Sequence, residues 1–416
     1  MTMSKRETFF STIIMLLFLI CSSESLLVGT NSSQIAWTIY TKAHYVILCL
    51  LLARLMLVKG VKIGKLYPVV LVVLIVFINF IFAEGNNVLS TYLHICTVIV
   101  NAWLIVQQFS FEKFATVFEK AMFVMAVYSL IVYAVALIAP QIIRSLPVIE
   151  NIAGNKYYCA GLANISKNGL NSGTLFRSAG IFREPGMYQI FLNISFCIYL
   201  FYQKGASIFK IAIYILAVFS TISTTGIAAM LLIFVIFTIT SKVRRKWLIV
   251  FFLLAAVALL YALTSRYDIF LNAITKIENE DDMSTVARLY SIVANIKIWL
   301  SHPILGSGMD TNSRLFPRLI ISATGVDVAD NTNTYMYILS CFGIVPFLIF
   351  IAGLYRTSKT IINKHAILLL VVFLMMLAGE NLLYSSFAWI FAFYGYARSA
   401  VAEESKQKSV ISLERV

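Results

Sequence analysis

Charge is scarce in this chain, and so are the residues that organise most soluble enzymes. Lysine, arginine, aspartate and glutamate make up 12% of the 416 residues while 60% are hydrophobic, so a water-soluble fold would leave too much apolar surface in water. Proline-rich linkers, low-complexity tracts and a clear internal repeat are absent, and the chain reads as one integral domain, 1–416. The four histidines, His44, His94, His302 and His365, do not stand at metal-ligand spacing. The acidic run Glu278, Glu280, Asp281 and Asp282 lacks convergent ligands and reads as a solvated approach to a helix. No metal and no other cofactor is expected. Of the six cysteines, Cys159 alone lies away from the apolar runs, so a disulfide framework is not expected.

What the chain has in abundance is apolar runs long enough for helices to cross a bilayer of about 30 Å. They fall at 9–28, 35–57, 66–83, 88–106, 121–138, 187–202, 208–220, 224–240, 247–263, 333–355, 366–378 and 386–396. The fold class is therefore an all-α polytopic integral membrane protein with about 12 transmembrane helices. Lys5 and Arg6 precede the first run and small residues follow it, a pattern shared with signal peptides. It is read as an uncleaved span.

Basic residues recur in alternate connections: Lys5 and Arg6; Arg54, Lys59, Lys62 and Lys65; Lys113 and Lys120; Lys204 and Lys210; Lys242, Arg244, Arg245 and Lys246; Arg356, Lys359 and Lys364. With the basic C-terminal tail, this places both termini in the cytoplasm. The net charge of +14 reports the same bias and contact with anionic lipid. No nucleic-acid partner follows from it.

Two connections on the opposite side are too long to be simple turns, about 139–186 and 264–332. They hold Arg144, Lys156, Lys167, Arg177 and Arg183, then Arg266, Lys276, Arg288, Lys297, Arg314 and Arg318, against the topological bias. From Ser284, residues Val286, Leu289, Ile292, Val293, Ile296 and Trp299 recur at helical spacing, with Arg288 and Asn295 off that stripe. An amphipathic helix is expected there, ended by His302-Pro303. The Gly306-Ser307-Gly308 turn beyond it either lets backbone N–H groups approach an anion or simply bends the chain.

The first connection ends in the most informative stretch, Arg177-Ser178-Ala179-Gly180-Ile181-Phe182-Arg183-Glu184-Pro185-Gly186, two arginines and a carboxylate at the mouth of an apolar run. Ser223-Thr224-Thr225-Gly226 lies between two short runs, Arg288 precedes His302-Pro303-x-x-Gly306-x-Gly308, and Asn333-x-Tyr335 opens another run. Together these resemble the O-antigen polymerase (Wzy) family over most of the chain from about Arg177 onward. The resemblance implies a fold similar to C-type glycosyltransferases, in the cell inner membrane. It implies polymerisation of oligosaccharide repeat units at the periplasmic face, with undecaprenyl-diphosphate-linked donor and acceptor, and a chain-length regulator and a flippase as partners. Ligases of the same topology usually show a His-Asn pair where this chain has Thr332-Asn333, which favours polymerase.

The chemistry of such a transfer asks for cations to neutralise the departing diphosphate and a base for the acceptor hydroxyl. Arg177, Arg183 and Arg288 are the diphosphate candidates, because guanidinium binds phosphate oxygens bidentately and stays charged near lipid. The plainer alternatives are an ion pair for Arg183 and headgroup contact for Arg177. Glu184 is the first candidate base, with a helix cap as its alternative role. Asp330 and Glu380 are the other candidates. A lipid-oligosaccharide flippase is the rival from another class, although its charges would be expected near the midplane of related halves.

Overall fold

The structure is a computed structural model and describes residues 12–18, 20, 34–57, 66–151, 155–166, 176–240, 283–325 and 331–397. After a helical segment at 12–18, four helices follow: α1 (Gln34–Leu57), α2 (Tyr67–Phe82), α3 (Leu89–Gln108) and α4 (Phe111–Ile138). Pro68 sits in the first turn of α2, where its missing N–H costs nothing. Ser110 caps α4 by accepting from the N–H of Lys113 at 3.3 Å. Among the described residues, four stretches are long and apolar enough to cross a membrane, Thr38–Met56, Leu89–Gln108, Phe111–Ile138 and Ile344–Ile361. Shorter apolar helices accompany them at Tyr67–Phe82, Ile208–Ser220, Thr224–Thr240 and Asn363–Leu377. Their outward faces are apolar, including Phe77, Ile81, Val124, Ile131 and Val235, as an integral membrane protein requires.

The first long connection corrects the all-α expectation. After a short helix α5 (Pro140–Arg144) it folds as an antiparallel sheet in the order β1 (Val148–Glu150), β2 (Lys156–Ala160), β3 (Ala163–Ser166), β4 (Ser178–Gly180). The sheet forms because its residues alternate between two burial surfaces. Tyr158, Ala163 and Ile165 pack with Phe176 against Val132 and Ala136 of α4, while Tyr157 and Ala179 pack with Ile149 on the other side. Strands of three to five residues carry too little alternation to stand out beside twelve long apolar runs.

Beyond the sheet, α6 (Pro185–Cys197) continues as a π-helical turn, Ile198–Tyr202, and is followed by α7 (Ile208–Ser220) and α8 (Thr224–Thr240). The expected span at 247–263 lies outside the described residues. The second long connection holds α9 (Met283–Ser301) and α10 (Met309–Thr324), and α10 rests on the turn after α2: Thr311 Oγ1 donates to the carbonyl of Glu84 at 2.8 Å and Asp310 accepts from the N–H of Asn86 at 3.0 Å. The single span expected at 333–355 is two helices, α11 (Thr334–Phe342) and α12 (Ile344–Ile361). Gly343 breaks them with φ +80, a conformation open to glycine, where an added Cβ would meet the backbone of Ile304. Two helices, α13 (Ala366–Leu377) and α14 (Ser386–Tyr394), complete the bundle, with α14 packed between α3 and α12.

Candidate functional site

The site is assembled where three separated pieces of chain meet at one end of the bundle. Glu184 holds the N-cap position of α6 in extended backbone, and Pro185 starts the helix. The Glu184 side chain makes no capping bond. It turns instead to its neighbour and accepts from Arg183 Nε at 3.1 Å. Arg183 Nη2 lies 3.6 Å from Glu380 Oε2, so one guanidinium stands between two carboxylates. Exposure grades across the three side chains, from 32% for Glu184 through 20% for Arg183 to 9% for Glu380.

Glu380 comes from the 378–385 connection between α13 and α14, and two contacts fix it. Thr334 Oγ1 donates to its carbonyl at 2.5 Å and accepts from the N–H of Leu382 at 2.9 Å, which ties the start of α11 to the connection. Its carboxylate lies against Cα of Gly186, where any Cβ would collide with Oε1. Gly186 is thus required by close approach. Gly186, which closes the first long connection, and Thr334, which opens α11 just beyond the second, therefore meet at Glu380.

Arg177 reaches the same end by another route. Its Nε donates to the carbonyl of Thr221 at 3.0 Å, in the tight turn between α7 and α8. Tyr157, buried on β2, lies within the electrostatic reach of Glu184, Arg177, Glu380 and Arg183. Burial, and then the negative charge of Glu184, push its phenol above the usual tyrosine range, so it stays a neutral donor. The sheet is in this way one wall of the charged cluster. Gly180, with φ +55, brings the end of β4 onto the ring of Tyr188.

Other residues singled out in the sequence lie elsewhere or are used differently. Arg288 lies in α9, and Asp330 lies outside the described residues, as does the acidic run 278–282. His302 is exposed, with Nδ1 3.1 Å from Ser301 Oγ. The Gly306-Ser307-Gly308 turn is not an anion nest: its N–H groups donate to the carbonyls of His302, Ser340 and Cys341 at 2.8, 2.8 and 3.1 Å. Its glycines serve a close backbone approach, since a Cβ on Gly306 would meet Cys341. Asn333, fully buried, caps α11 by accepting from the N–H of Met336 at 3.1 Å, and its Nδ2 has no hydrogen-bond partner. Tyr335 is half-buried against the main core.

The expected helix from Ser284 is present, but its buried face is Ser291, Ala294, Asn295 and Ile298, one residue displaced from the apolar stripe. Val293 and Leu300 are exposed, which suits a helix with lipid on one side. Thr221 and Tyr157 are the site residues the sequence did not single out for these contacts. A main-chain acceptor has no side-chain signature, and Tyr157 is placed by strand pairing.

Residues 209–351, about a third of the chain, match the family model of the O-antigen ligases. No curated protein matches the chain. The match supports the O-antigen polymerase/ligase superfamily and indicates polysaccharide-assembly chemistry of that type by an integral membrane glycosyltransferase-like enzyme. It contains Thr221, Arg288, Asn333 and Thr334, while Arg177, Arg183, Glu184 and Glu380 flank it on both sides.

Proposed function

We propose that this protein is a polymerase that joins lipid-diphosphate-linked oligosaccharide repeat units into a surface polysaccharide by inverting glycosyl transfer at the periplasmic face of the inner membrane. One observation carries the reading: Arg183 is shared by Glu184 and Glu380, with Arg177 at the same end of the bundle. An undecaprenyl diphosphate entering this end competes with the carboxylates for Arg183. Diphosphate is the stronger bidentate partner, so its arrival releases Glu184, the more exposed of the two acids. Glu184 then accepts the proton of the acceptor hydroxyl as that oxygen attacks the anomeric carbon. The bond from the anomeric carbon to the diphosphate breaks, and the charge leaving on the diphosphate oxygen is met by Arg183, Arg177 and Arg288. Glu380, held by Gly186 and Thr334, keeps Arg183 aimed at the departing group.

A ligase, which attaches finished chains to another lipid acceptor, is the second reading because the matching family model is described as O-antigen ligase. The residue before Asn333 favours the polymerase reading, since Thr332 stands where ligases usually carry histidine. Deleting the gene from its own strain separates the readings. A surface polysaccharide limited to one repeat unit supports the polymerase. Complete loss from the surface would indicate ligation or export.

A further inference from the structure

Between α9, α10 and α11 lies a buried set of amides and hydroxyls that the charged cluster does not include. Asn295 Nδ2 donates to Asn331 Oδ1 at 3.2 Å, and Asn331 Nδ2 donates back to Asn295 Oδ1 at 2.8 Å. Ser340 Oγ donates to Asn295 Oδ1 at 2.6 Å, and Asn312 Nδ2 donates to Ser340 Oγ at 2.6 Å. Asn331 Oδ1 also takes the N–H of Asn333 at 3.2 Å. Asn295 and Asn312 are fully buried or nearly so. A closed amide pair satisfies both partners in one geometry only, so it specifies a rotation and a height along the helix as well as stabilising a contact.

One end of this set leads to the charged cluster and the other lies on the helix that carries Arg288. Asn331 precedes Asn333, the cap of α11, and Thr334, which bonds the carbonyl of Glu380. Asn295 follows Arg288 by seven residues, about two helical turns, so the two positions share one face of α9. We propose that Asn295 and Asn331 are positioning residues: their amide pair sets the rotation of α9 against the 331–334 turn, and so holds position 288 in register with the Glu380 cluster around a lipid diphosphate. This rests on the polymerase reading above. A merely structural pair would behave differently, because replacing both partners of a buried hydrogen bond by apolar groups of similar shape can be nearly neutral for stability.

The test uses the full chain in lipid nanodiscs, with spin labels at the exposed positions Val293 on α9 and Leu162 in the β2–β3 turn, in a cysteine-free background. Asn295→Leu and Asn331→Leu are made singly and together, with Asn295→Asp as a near-isosteric variant that loses both amide N–H donors, to Asn331 Oδ1 and to the carbonyl of Ser291. The single leucine variants are expected to lower Tm, and the double variant to recover only the part that belongs to the amide pair itself, because the Ser340 hydroxyl and the N–H of Asn333 still lose their acceptors. The double variant and Asn295→Asp should still show a broadened label distance, and kcat on lipid-linked repeat unit reduced on the order of 10- to 100-fold with a much smaller change in KM. A folded double variant, or a folded Asn295→Asp, with the wild-type distance distribution and wild-type kcat overturns the proposal. If the distance broadens while the unmutated protein forms no polymer from that substrate, the positioning role stands and the polymerase reading is what fails.

Discussion

Among the described residues, two carboxylates are withdrawn from water beside a cation, and they are held in opposite ways. Glu119 on α4, with 2% of its side chain exposed, takes Lys210 Nζ at 2.7 Å and the Tyr214 hydroxyl at 3.1 Å. Tyr214 is itself engaged with Ser195 at 2.8 Å, and Lys210 lies over the rings of Phe123 and Tyr199. That arrangement is close, with both bonds on Glu119 Oε1, and it ties α4, α6 and α7 together. Glu380 stands 3.6 Å from a guanidinium that gives its shorter contact, 3.1 Å, to Glu184. One end of the bundle thus has a matched pair, the other a cation divided between two acids. The first geometry suits permanence, the second exchange for an incoming anion.

The comparison breaks most visibly at Arg183. Arg183→Ala should reduce polymerisation by roughly 100- to 1,000-fold, the usual loss when a charge-assisted contact to a developing anion is removed. Arg183→Lys should restore only part of it, because the charge returns without the fork. Initial rates of polymer formation at equal expression check both. Wild-type rates for Arg183→Ala would place the cation outside the chemistry.

Glu184→Gln comes next, with an expected loss on the order of 100-fold in turnover. Since the Glu184 side chain makes no capping bond to α6, Tm and binding of the lipid-linked donor should stay near wild type. A large drop in Tm with turnover preserved in the folded fraction would return Glu184 to a structural role.

A smaller effect is expected at Gly186→Ala, where the added methyl meets the Glu380 carboxylate. Displacing that acid should lower kcat/KM by about 10-fold, a loss typical of misplaced groups, and Gly186→Ala with Glu380→Gln should cost less than the two effects combined. Full additivity in this double-mutant cycle would show that the two residues do not act through their contact.

Glu119→Gln should have the least effect on turnover and a clear effect on stability. It leaves Lys210 without its acid, at a cost of about 1–3 kcal/mol given that Lys210 is partly exposed. Denaturation of the purified protein measures the loss, and turnover per folded molecule should match wild type. If turnover falls with the same severity as in Glu184→Gln, the division between the two ends is wrong.

How much of this was legible beforehand follows from the range over which each signal acts. The stretch Arg177 to Gly186 stood out because charge is rare, and Arg183, Glu184 and Gly186 pack into one cluster with Glu380. Glu380 was legible as a candidate but not as the partner of Arg183, since about two hundred residues separate them and only folding joins them. The break at Gly343 was hidden because hydrophobicity runs through it unchanged, while the backbone there needs a positive φ. Asn295 was read as lying off the apolar stripe, whereas its amide is satisfied inside the protein by Asn331 and Ser340. A polar residue looks solvent-facing in sequence until its partners are known.

The most direct test is a reconstituted reaction with the full chain and a lipid-diphosphate-linked repeat unit as both donor and acceptor, followed by product length and released lipid diphosphate. The wild-type protein should give products of two or more units with one lipid diphosphate released per bond formed, and Glu184→Gln should bind the donor yet release almost none. Movement of the lipid-linked unit across the membrane without any glycosidic bond, or equal release by the Glu184→Gln protein, would contradict the assignment of the charged cluster as a polymerase site.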